Sequence, residues 1–386
     1  MKLLKIIYFW LDLSEKFMNI SIIGGGIVGC AAAYYLSKSG YDVTLIEKDE
    51  IASKASGFSF GGLLPPMVSE NNNLNIFTDF AINIHKKLFY DLSSKEINYG
   101  FRKKNSLILA TNDQELKNII KFSTEMYFPS GQNPIILNHG EISHIDARIS
   151  DKILGGLYIN NSYDVDASNL CSSLWYAAKK YGAKLIKDEV ISIDVKNNSV
   201  RSIVLKDSER KINSQNVILA AGPWSKFLAE SLGVDIPLKP LKGQILRFDN
   251  ENHPDISINF WWGANYISTK YDGYLWAGTT EEDVGFNQNI DKKGAKSILS
   301  SCIEIFPYIE KLKITNQTAC LRPITSDLLP IIENFSDEVS GLVLSTGGGR
   351  NGILFGPAMG YIAAEMILSK KSSVDTSFLN LKRFNN

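Results

Sequence analysis

Hydrophobic and polar positions near the start of the chain follow a pattern that predicts a strand, a helix and a second strand. Residues 19–23 form a short apolar run, which a glycine-rich turn follows. The pattern of residues 27–39 predicts a helix that ends before Gly40, because glycine adopts the left-handed conformation that terminates helices. Residues 42–46 predict the next strand. This order within about 30 residues is typical of a βαβ unit with a right-handed crossover.

The remaining pattern predicts an α/β fold with antiparallel strands in the middle of the chain, which adds an α+β character. Helices are predicted at 74–92, 166–182, 292–305 and about 353–369. Strands are predicted at 184–195, 200–206, 216–220 and 342–346, with a hairpin around Asn197–Asn198 and antiparallel strands over 241–286 that break at Gly263 and Asp272–Gly273.

A strand, a glycine loop and a helix return at the end of the chain, which predicts a discontinuous, Rossmann-like nucleotide-binding domain. We expect a second domain, rich in antiparallel strands, to interrupt it and to bind the substrate. The nucleotide-binding domain is predicted to comprise 18–75, 155–240 and 336–386, and the substrate domain 76–154 and 241–335, after an N-terminal extension of residues 1–17.

Composition and charge narrow the class of protein. The 386-residue chain has 41 basic and 41 acidic side chains, so no overall field favours nucleic acid and we expect no such partner. Its four cysteines are scattered without disulfide or metal-site spacing, which favours a reducing, cytoplasmic setting and no bound metal. Residues 3–11 are apolar but too short to span a bilayer. Residues 1–17 are an upstream extension or a mis-assigned start, and a peripheral membrane helix is the other interpretation.

A glycine motif at the first turn predicts a dinucleotide site. Gly24, Gly26 and Gly29 satisfy GxGxxG, in which the glycines allow a tight turn, a close pyrophosphate and close helix packing. The helix N-terminus offers free N–H groups and partial positive charge to the phosphates. Glu47 ends the second strand, where a carboxylate accepts hydrogen bonds from ribose hydroxyls and repels the 2′-phosphate of NADP. A glycine-rich turn without a ligand is the plainer interpretation of the motif alone.

Glycine-rich segments far along the chain favour FAD over NAD, because an elongated flavin dinucleotide needs contacts distant from the first turn. Residues 57–66 contain three glycines and two prolines, and residues 347–352 read GGGRNG. Residues 217–224 form an apolar strand that enters a turn at Gly222, although an ordinary core strand would give the same pattern.

With these motifs the sequence resembles the D-amino-acid oxidase superfamily of FAD-dependent oxidoreductases, most closely its glycine oxidases and sarcosine-oxidase-like members. The resemblance extends over nearly the whole chain from Met18. The segments that carry it are IIGGGIVG (22–29), ASGFSFGGLLP (55–65), VILAAGPWS (217–225), LKGQIL (241–246), CLRPITSDLLPII (320–332) and STGGGRNGILFGPA (345–358).

The resemblance implies residues for each part of the FAD. It places Ile27 and Val28 at the pyrophosphate, Glu47 and Lys48 at the adenosine ribose, and Val190 at the adenine. Further residues along the cofactor are Ser56, Gly57, Gly61, Gly62 and Leu63. The flavin ring is expected against Gly348, Gly349, Arg350, Asn351, Gly352, Ile353 and Leu354. The helix that follows would direct its positive end at the N1–C2=O edge of the flavin.

The resemblance also implies a substrate site. Arg350 matches the arginine that binds the substrate carboxylate in glycine oxidases, Arg322 matches its partner, and Tyr266 matches a tyrosine that lines the pocket. A guanidinium suits this role because it presents a planar fork of donors and keeps its charge at any relevant pH. Without the resemblance, Arg350 would be interpreted as a surface arginine and Arg322 as half of an internal salt bridge.

Two features differ from the glycine oxidases. Phe58 and Phe60 make their loop bulkier than the small-residue loop of the family, which predicts a reshaped pocket. Cys320 stands where sarcosine-oxidase-like members carry the cysteine that bonds covalently to the flavin. We expect non-covalent FAD and a small buried thiol at Cys320, with a covalent link there as the alternative.

These residues together imply FAD-dependent oxidative deamination of a small amino acid or N-methylated amino acid, such as glycine, sarcosine or a D-amino acid. A hydride would pass from the α-carbon to flavin N5, and the imine would hydrolyse to a 2-oxo acid. The expected partners are a small amine that carries a carboxylate and oxygen or another electron acceptor, and a homo-oligomer stays open. The alternatives are a 2-hydroxy-acid oxidase or dehydrogenase of the same superfamily and a non-catalytic flavoprotein subunit of a larger complex.

Overall fold

The computed structural model describes residues 18–66, 71–129 and 131–384. The predicted N-terminal extension, residues 1–17, lies outside the described residues. The helices are α1 (Ile27–Lys38), α2 (Asn72–Ser93), α3 (Asp113–Glu125), α4 (His139–Ile145), α5 (Ala167–Lys180), α6 (Ser225–Glu230), α7 (Lys292–Ile305) and α8 (Gly352–Ile367), with short 3-10 helices at Gly222–Trp224, Pro307–Lys311, Gly349–Asn351, Ser377–Leu379 and Leu381–Phe384.

The strands follow one another through the same described ranges. They are β1 (Asn19–Ile23), β2 (Asp42–Glu47), β3 (Gly62–Leu63), β4 (Arg102–Lys103), β5 (Ser106–Ala110), β6 (Pro134–Asn138), β7 (Gly155–Ile159), β8 (Tyr163–Asp164), β9 (Lys184–Lys187), β10 (Val190–Lys196), β11 (Ser199–Leu205), β12 (Lys211–Asn213), β13 (Asn216–Leu219), β14 (Leu238–Phe248), β15 (Asn259–Trp262), β16 (Asn265–Thr269), β17 (Leu275–Gly278), β18 (Ile314–Thr325), β19 (Ile331–Asn334) and β20 (Leu342–Thr346). The predicted α/β class is confirmed.

A six-stranded sheet joins strands that are far apart in the sequence. Its order is β19-β20-β13-β1-β2-β9, and all neighbours are parallel except β19, which runs antiparallel to β20. Both faces of this sheet are covered, which is why its strands are continuous apolar runs. Ile22 belongs to a buried cluster with residues of α1, α5 and α8 on one face, whereas Ile23 belongs to a cluster with residues of β10 and β11 on the other. The predicted βαβ unit is confirmed, and Gly40 has a left-handed φ of +88° just after α1.

An eight-stranded sheet, ordered β18-β14-β17-β16-β15-β5-β7-β6, forms the second large layer. Its neighbours are antiparallel except β15 and β5. The predicted breaks are confirmed, because Gly263 and Gly273 take positive φ in the turns on either side of β16. Helix α7 spans the residues predicted from the pattern and packs Ile298 and Ile305 into the core of this sheet.

The single strand predicted at 184–195 is wrong, since two strands of different sheets occupy it. Strand β9 adds to the edge of the six-stranded sheet, whereas β10 begins the small sheet β10-β11-β12. Asp188 separates them because its carboxylate accepts backbone N–H bonds from Asp207 and Ser208, which draws the chain away from the first sheet. The hairpin around Asn197–Asn198 is present as predicted.

Most strands of the six-stranded sheet lie in the ranges predicted for the nucleotide-binding domain, and most strands of the eight-stranded sheet lie in those predicted for the substrate domain. The division into two domains itself stays a prediction. Strand β7 pairs with β5 and β6 in the eight-stranded sheet, although the boundary at 155 would assign it to the nucleotide-binding domain. Strand β19 pairs with β20, although the boundary at 335 would assign it to the substrate domain. Within the described ranges no helix has the length and apolarity needed to cross a membrane.

Candidate active site

A cavity of about 840 Å³ runs from the carboxyl ends of the strands of the six-stranded sheet to the face of the eight-stranded sheet. The turns after β1, β13 and β20 open into one end, and side chains of β15, β16 and β18 line the other. Carboxyl ends of parallel strands are where open α/β sheets bind ligands, because the helices that follow begin there.

Most of the predicted site residues line this one cavity, and four do not. The four are Gly29, Gly57, Leu63 and Leu354, and each is next in the chain to a residue that lines it. The residues that line it are Gly24, Gly26, Ile27, Val28, Glu47, Lys48, Ser56, Gly61, Gly62, Val190, Gly222, Tyr266, Arg322, Gly348, Gly349, Arg350, Asn351, Gly352 and Ile353. The fold therefore gathers segments from residue 24 to residue 353 around one space.

The glycine turn between β1 and α1 leaves no room for side chains at two of its positions. Gly24 has φ +109°, and a Cβ there would lie 2.5 Å from the carbonyl oxygen of Ala220 on the neighbouring strand connection. A Cβ at Gly29 would lie 1.9 Å from the carbonyl oxygen of Gly24. Helix α1 begins after Gly26, which has no side chain with which to cap it, and the positive end of the helix faces the cavity. A phosphate group would occupy the place that a capping side chain takes elsewhere.

The carboxylate of Glu47 is fixed at the end of β2. Its Oε2 accepts the N–H of Gly25 at 2.6 Å, and its Oε1 accepts the N–H of Asp49 at 2.9 Å. Ser56 similarly ties the loop after β2 to the first helix, because its Oγ accepts the N–H of Ile27 at 3.0 Å. These bonds hold the acidic residue and the glycine turn in one arrangement at this end of the cavity.

A second uncapped helix begins at the same cavity. Helix α8 starts after Asn351 with no side-chain cap, and the glycines before it take positive φ at Gly347 and Gly349. It lies close to α1, because a Cβ at Gly360 would be 2.5 Å from the carbonyl oxygen of Val28. The positive ends of two packed helices thus face one space, an arrangement that suits a ligand with separated negative groups.

A buried histidine supports the first turn of α8. The Nε2 of His85, on α2, lies 2.9 Å from the carbonyl oxygen of Ile353 and 3.2 Å from that of Leu354. Since carbonyl oxygens only accept, Nε2 carries the proton and donates it. Burial lowers the pKa of His85 to about 4, so the ring is neutral at physiological pH. Nothing in the sequence pattern singled out His85, because a histidine within a predicted helix carries no signal of its hydrogen-bond partner.

Arg322 lies in the half of the cavity formed by the eight-stranded sheet. Its Nη2 donates to Oγ1 of Thr279 at 2.7 Å, and its Nη1 donates to the carbonyl oxygen of Thr280 at 3.3 Å. Among the described residues no carboxylate lies within ion-pair distance of this guanidinium, so the internal salt bridge that was the alternative interpretation of Arg322 is absent there. Arg322 therefore presents an oriented, uncompensated positive charge to the cavity.

Aromatic side chains close the cavity beside Arg322. Tyr266 is buried, and burial raises the pKa of its phenol to about 12. The rings of Phe60 and Tyr266 lie 4.1 Å apart between centroids, and Trp261 meets the edges of both. The bulky loop noted in the sequence thus becomes part of the pocket wall through Phe60, which limits the room for a substrate side chain.

Arg350 occupies a different position from Arg322. It lies at the rim, with 53% of its side chain exposed, and forms an ion pair with Glu281. Glu281 also lines the cavity, and nothing in the sequence pattern pointed to it. The two arginines predicted to share a carboxylate are therefore not equivalent, because one already has an acidic partner and the other has none among the described residues.

A comparison with known protein families agrees with this geometry. The model of the family described as DAO, FAD dependent oxidoreductase, matches residues 19–366. The chain belongs to this family of FAD-dependent oxidoreductases. The predicted membership is confirmed. A cavity that has two helix N-termini and a fixed acidic residue in its wall is the kind of site that suits an elongated dinucleotide.

Known relatives are similar to this chain over nearly the whole of its length. The glycine oxidase of Geobacillus kaustophilus is 26% identical over 370 residues, which cover 95% of this chain and 97% of the relative. The crystal structure of glycine oxidase from the same species superposes with a TM-score of 0.88 at 24% identity, covering 95% of this chain and 99% of that one. The bifunctional protein ThiO/ThiG of Trichormus variabilis is 27% identical, and 95% of this chain matches 55% of it.

Cys320 lies in the wall of this DAO-family cavity. It is buried on β18 opposite Gly243 of β14, and its thiol is free. Burial raises the pKa of the Cys320 thiol, so the protonated form is favoured. Its position is compatible with either interpretation drawn from the sequence, since a thiol in the wall can contact a ligand or simply fill space.

Proposed function

We propose that the chain is an FAD-dependent amino-acid oxidase or dehydrogenase. Its substrate would be a small amino acid or N-methylated amino acid such as glycine, sarcosine or a D-amino acid, converted to an imine and then to a 2-oxo acid. The observation that carries the proposal is the guanidinium of Arg322, which faces the cavity without an acidic partner among the described residues. Similarity to glycine oxidases over 95% of the chain supports the same reaction class.

The chain's residues divide the cavity between cofactor and substrate. Gly24, Gly26 and the N-terminus of α1 would hold the pyrophosphate, and Glu47 the adenosine ribose. The segment Gly348–Leu354 and the N-terminus of α8 would lie along the flavin ring, where the helix end stabilises negative charge. When bound, FAD supplies a two-electron acceptor.

Arg322 would bind the substrate carboxylate, held in orientation by Thr279 and Thr280. This assignment reverses the order that the family resemblance implied, in which Arg350 was the principal clamp. A guanidinium already oriented by two hydrogen bonds loses little freedom when a carboxylate docks on it. The amine would then face the flavin side of the cavity, and Phe60 and Tyr266 would exclude water from it. Positioning of this kind, rather than a general base, would supply the rate.

We propose that the cofactor is bound non-covalently. The raised pKa of Cys320 disfavours the thiolate, which is the form that attacks a flavin. Acid precipitation of the purified protein separates the two forms of attachment. Release of all yellow colour into the supernatant is expected, and colour retained in the pellet would establish a covalent bond.

An anaerobic screen of amines tests the proposed reaction. Glycine, sarcosine and small D-amino acids are mixed with the FAD-loaded protein while the loss of flavin absorption is followed. Bleaching by at least one of them is expected. Bleaching by 2-hydroxy acids alone would favour the hydroxy-acid reaction, and no bleaching by either class would favour a non-catalytic subunit. Oxygen uptake with and without an artificial acceptor then separates oxidase from dehydrogenase.

The remaining assignments stay proposals of the same kind. The partners would be a small carboxylate-bearing amine and oxygen or another electron acceptor. The cytoplasmic setting rests on the cysteines, which are free at all four described positions. Whether the chain forms a homo-oligomer is a question for a measurement of mass in solution.

A further inference from the structure

Two adjacent glutamates follow β17, and they face different surroundings. The carboxylate of Glu282 accepts from Oγ1 of Thr280 at 2.6 Å and from Nε2 of Gln244 at 2.8 Å, and it pairs with Lys242 at 3.0 Å. It is part of the framework that joins this segment to β14. Glu281 instead lines the cavity and pairs with Arg350. Glu281 therefore places its charge at the cavity, whereas Glu282 places its charge in the framework.

These ion pairs decide which charges at the substrate end of the cavity are compensated. Arg350 is compensated by Glu281, and Asp327, another carboxylate in the wall, is paired with Arg383 at 2.7 Å. Arg322 has no acidic partner among the described residues. The end of the cavity that we assign to the substrate therefore offers one free positive charge, although two arginines line it.

We propose that Glu281 is a specificity-determining residue that restricts the substrate to amines with a single carboxylate. The inference rests on the proposed function, because it assumes that Arg322 binds the first carboxylate. A second carboxylate on the substrate would need Arg350, which Glu281 holds. It would also lie beside the carboxylate of Glu281, and the repulsion between the two negative charges would weaken the binding of such a substrate.

Removing the negative charge of Glu281 should remove this restriction on the substrate. In Glu281→Gln the side chain keeps its size, but Arg350 becomes free to bind a second carboxylate. The site then has two free guanidinium groups in one cavity, which matches a dicarboxylate. The preference should therefore move towards dicarboxylic ligands, whereas ligands with one carboxylate should be affected little because they use Arg322.

The test uses the FAD-loaded protein and two unreactive probes, acetate and malonate, whose binding is followed by the change in flavin absorption. Glu281→Gln should lower the Kd of malonate about tenfold and change the Kd of acetate less than about twofold. With reactive ligands, the ratio of kcat/KM for iminodiacetate to that for sarcosine should rise by a similar factor. Asp283→Asn, which removes an exposed charge two residues away, is the matched control and should leave both ratios unchanged.

A double variant separates the action of Arg350 from a general change of charge. Glu281→Gln combined with Arg350→Gln should lose the gain for malonate. An unchanged malonate-to-acetate ratio in Glu281→Gln would overturn the inference, and so would an equal gain in Asp283→Asn or a gain that survives the double variant. If no amine reduces the flavin of the unmodified protein, the proposed function fails, yet the binding ratio still decides the role of Glu281.

Discussion

The guanidinium of Arg322 on β18 lies across Gly243 on the neighbouring strand β14. A Cβ at Gly243 would be 2.2 Å from Nη1 of Arg322, so the missing side chain is what gives the guanidinium its place. The position of a charged group in the wall of the cavity thus depends on a residue that carries no charge and does not itself line the cavity.

Gly243→Ala should displace the guanidinium without unfolding the protein. The obstructed atoms are the far end of a flexible side chain, so the arginine can move aside at little cost to stability. We expect KM for the amine substrate to rise about tenfold or more, since a pair of charge-assisted hydrogen bonds would lose its geometry. FAD content and melting temperature are the controls. A KM equal to that of the unmodified protein would contradict the role of Gly243.

Arg322 and Arg350 should differ in their effect on substrate binding. Arg322→Met removes the uncompensated guanidinium, and we expect KM to rise about 100-fold. Arg350→Met removes an arginine that is exposed and already paired, so a rise of about threefold is expected. Steady-state kinetics on the same amine compare the two variants. The reverse order would restore Arg350 as the principal carboxylate-binding residue.

Gly360→Ala should weaken the contact between α1 and α8. A Cβ at this position would meet the backbone carbonyl of Val28 at 2.5 Å, and a backbone atom cannot move aside alone. We expect a loss of about 1–3 kcal/mol in the free energy of unfolding together with weaker retention of FAD. Gly140→Ala is the control, because its nearest neighbour is the side chain of Asn138 at 3.3 Å. Equal stability of the two variants would show that the helices tolerate separation.

His85 should make the stability of the protein depend on pH in the acidic range. Its pKa of about 4 in the folded state lies below the ordinary value of 6.5, so the unfolded chain binds a proton that the folded chain excludes. Stability is then present above pH 6.5 and is lost as the pH falls towards 4, by about 2 kcal/mol between pH 7.5 and 5.

Urea unfolding at the two pH values measures this loss. His85→Gln cannot gain a proton, so its stability should fall less over the same interval than that of the unmodified protein. His253→Gln, which changes an exposed histidine, should keep the full dependence. Identical pH dependence in all three proteins would show that His85 does not titrate in this way.

The sequence predicted those parts of the molecule in which local pattern and tertiary structure agree. The βαβ unit was predictable because Gly24, Gly29 and Gly40 each mark a backbone conformation that a side chain would obstruct or strain. Helix α7 was predictable to the residue, since Asp291 caps it by accepting the N–H of Gly294. The strand at 184–195 was not, because the choice between two sheets depends on the side chain of Asp188 and its distant backbone partners.

The sequence alone could not predict which charged residues of the candidate site pair with one another. Arg322 and Arg350 both stood in glycine-oxidase-like motifs, and only the fold distinguishes the free guanidinium from the paired one. Glu281 comes within reach of Arg350, 69 positions further along the chain, because the intervening residues return the chain to the same cavity. Pairs of this kind are long-range contacts, and neither periodicity nor local motif encodes them.

The order of strands in the six-stranded sheet has a consequence for how the protein is made. Strand β20 lies between β13 and β19, and α8, which follows it, carries one of the two helix ends that face the cavity. Both elements are synthesised after all the strands of the eight-stranded sheet. The proposed nucleotide site is therefore incomplete until residues 342–367 have been synthesised, and we expect the cofactor to load late in synthesis or after it.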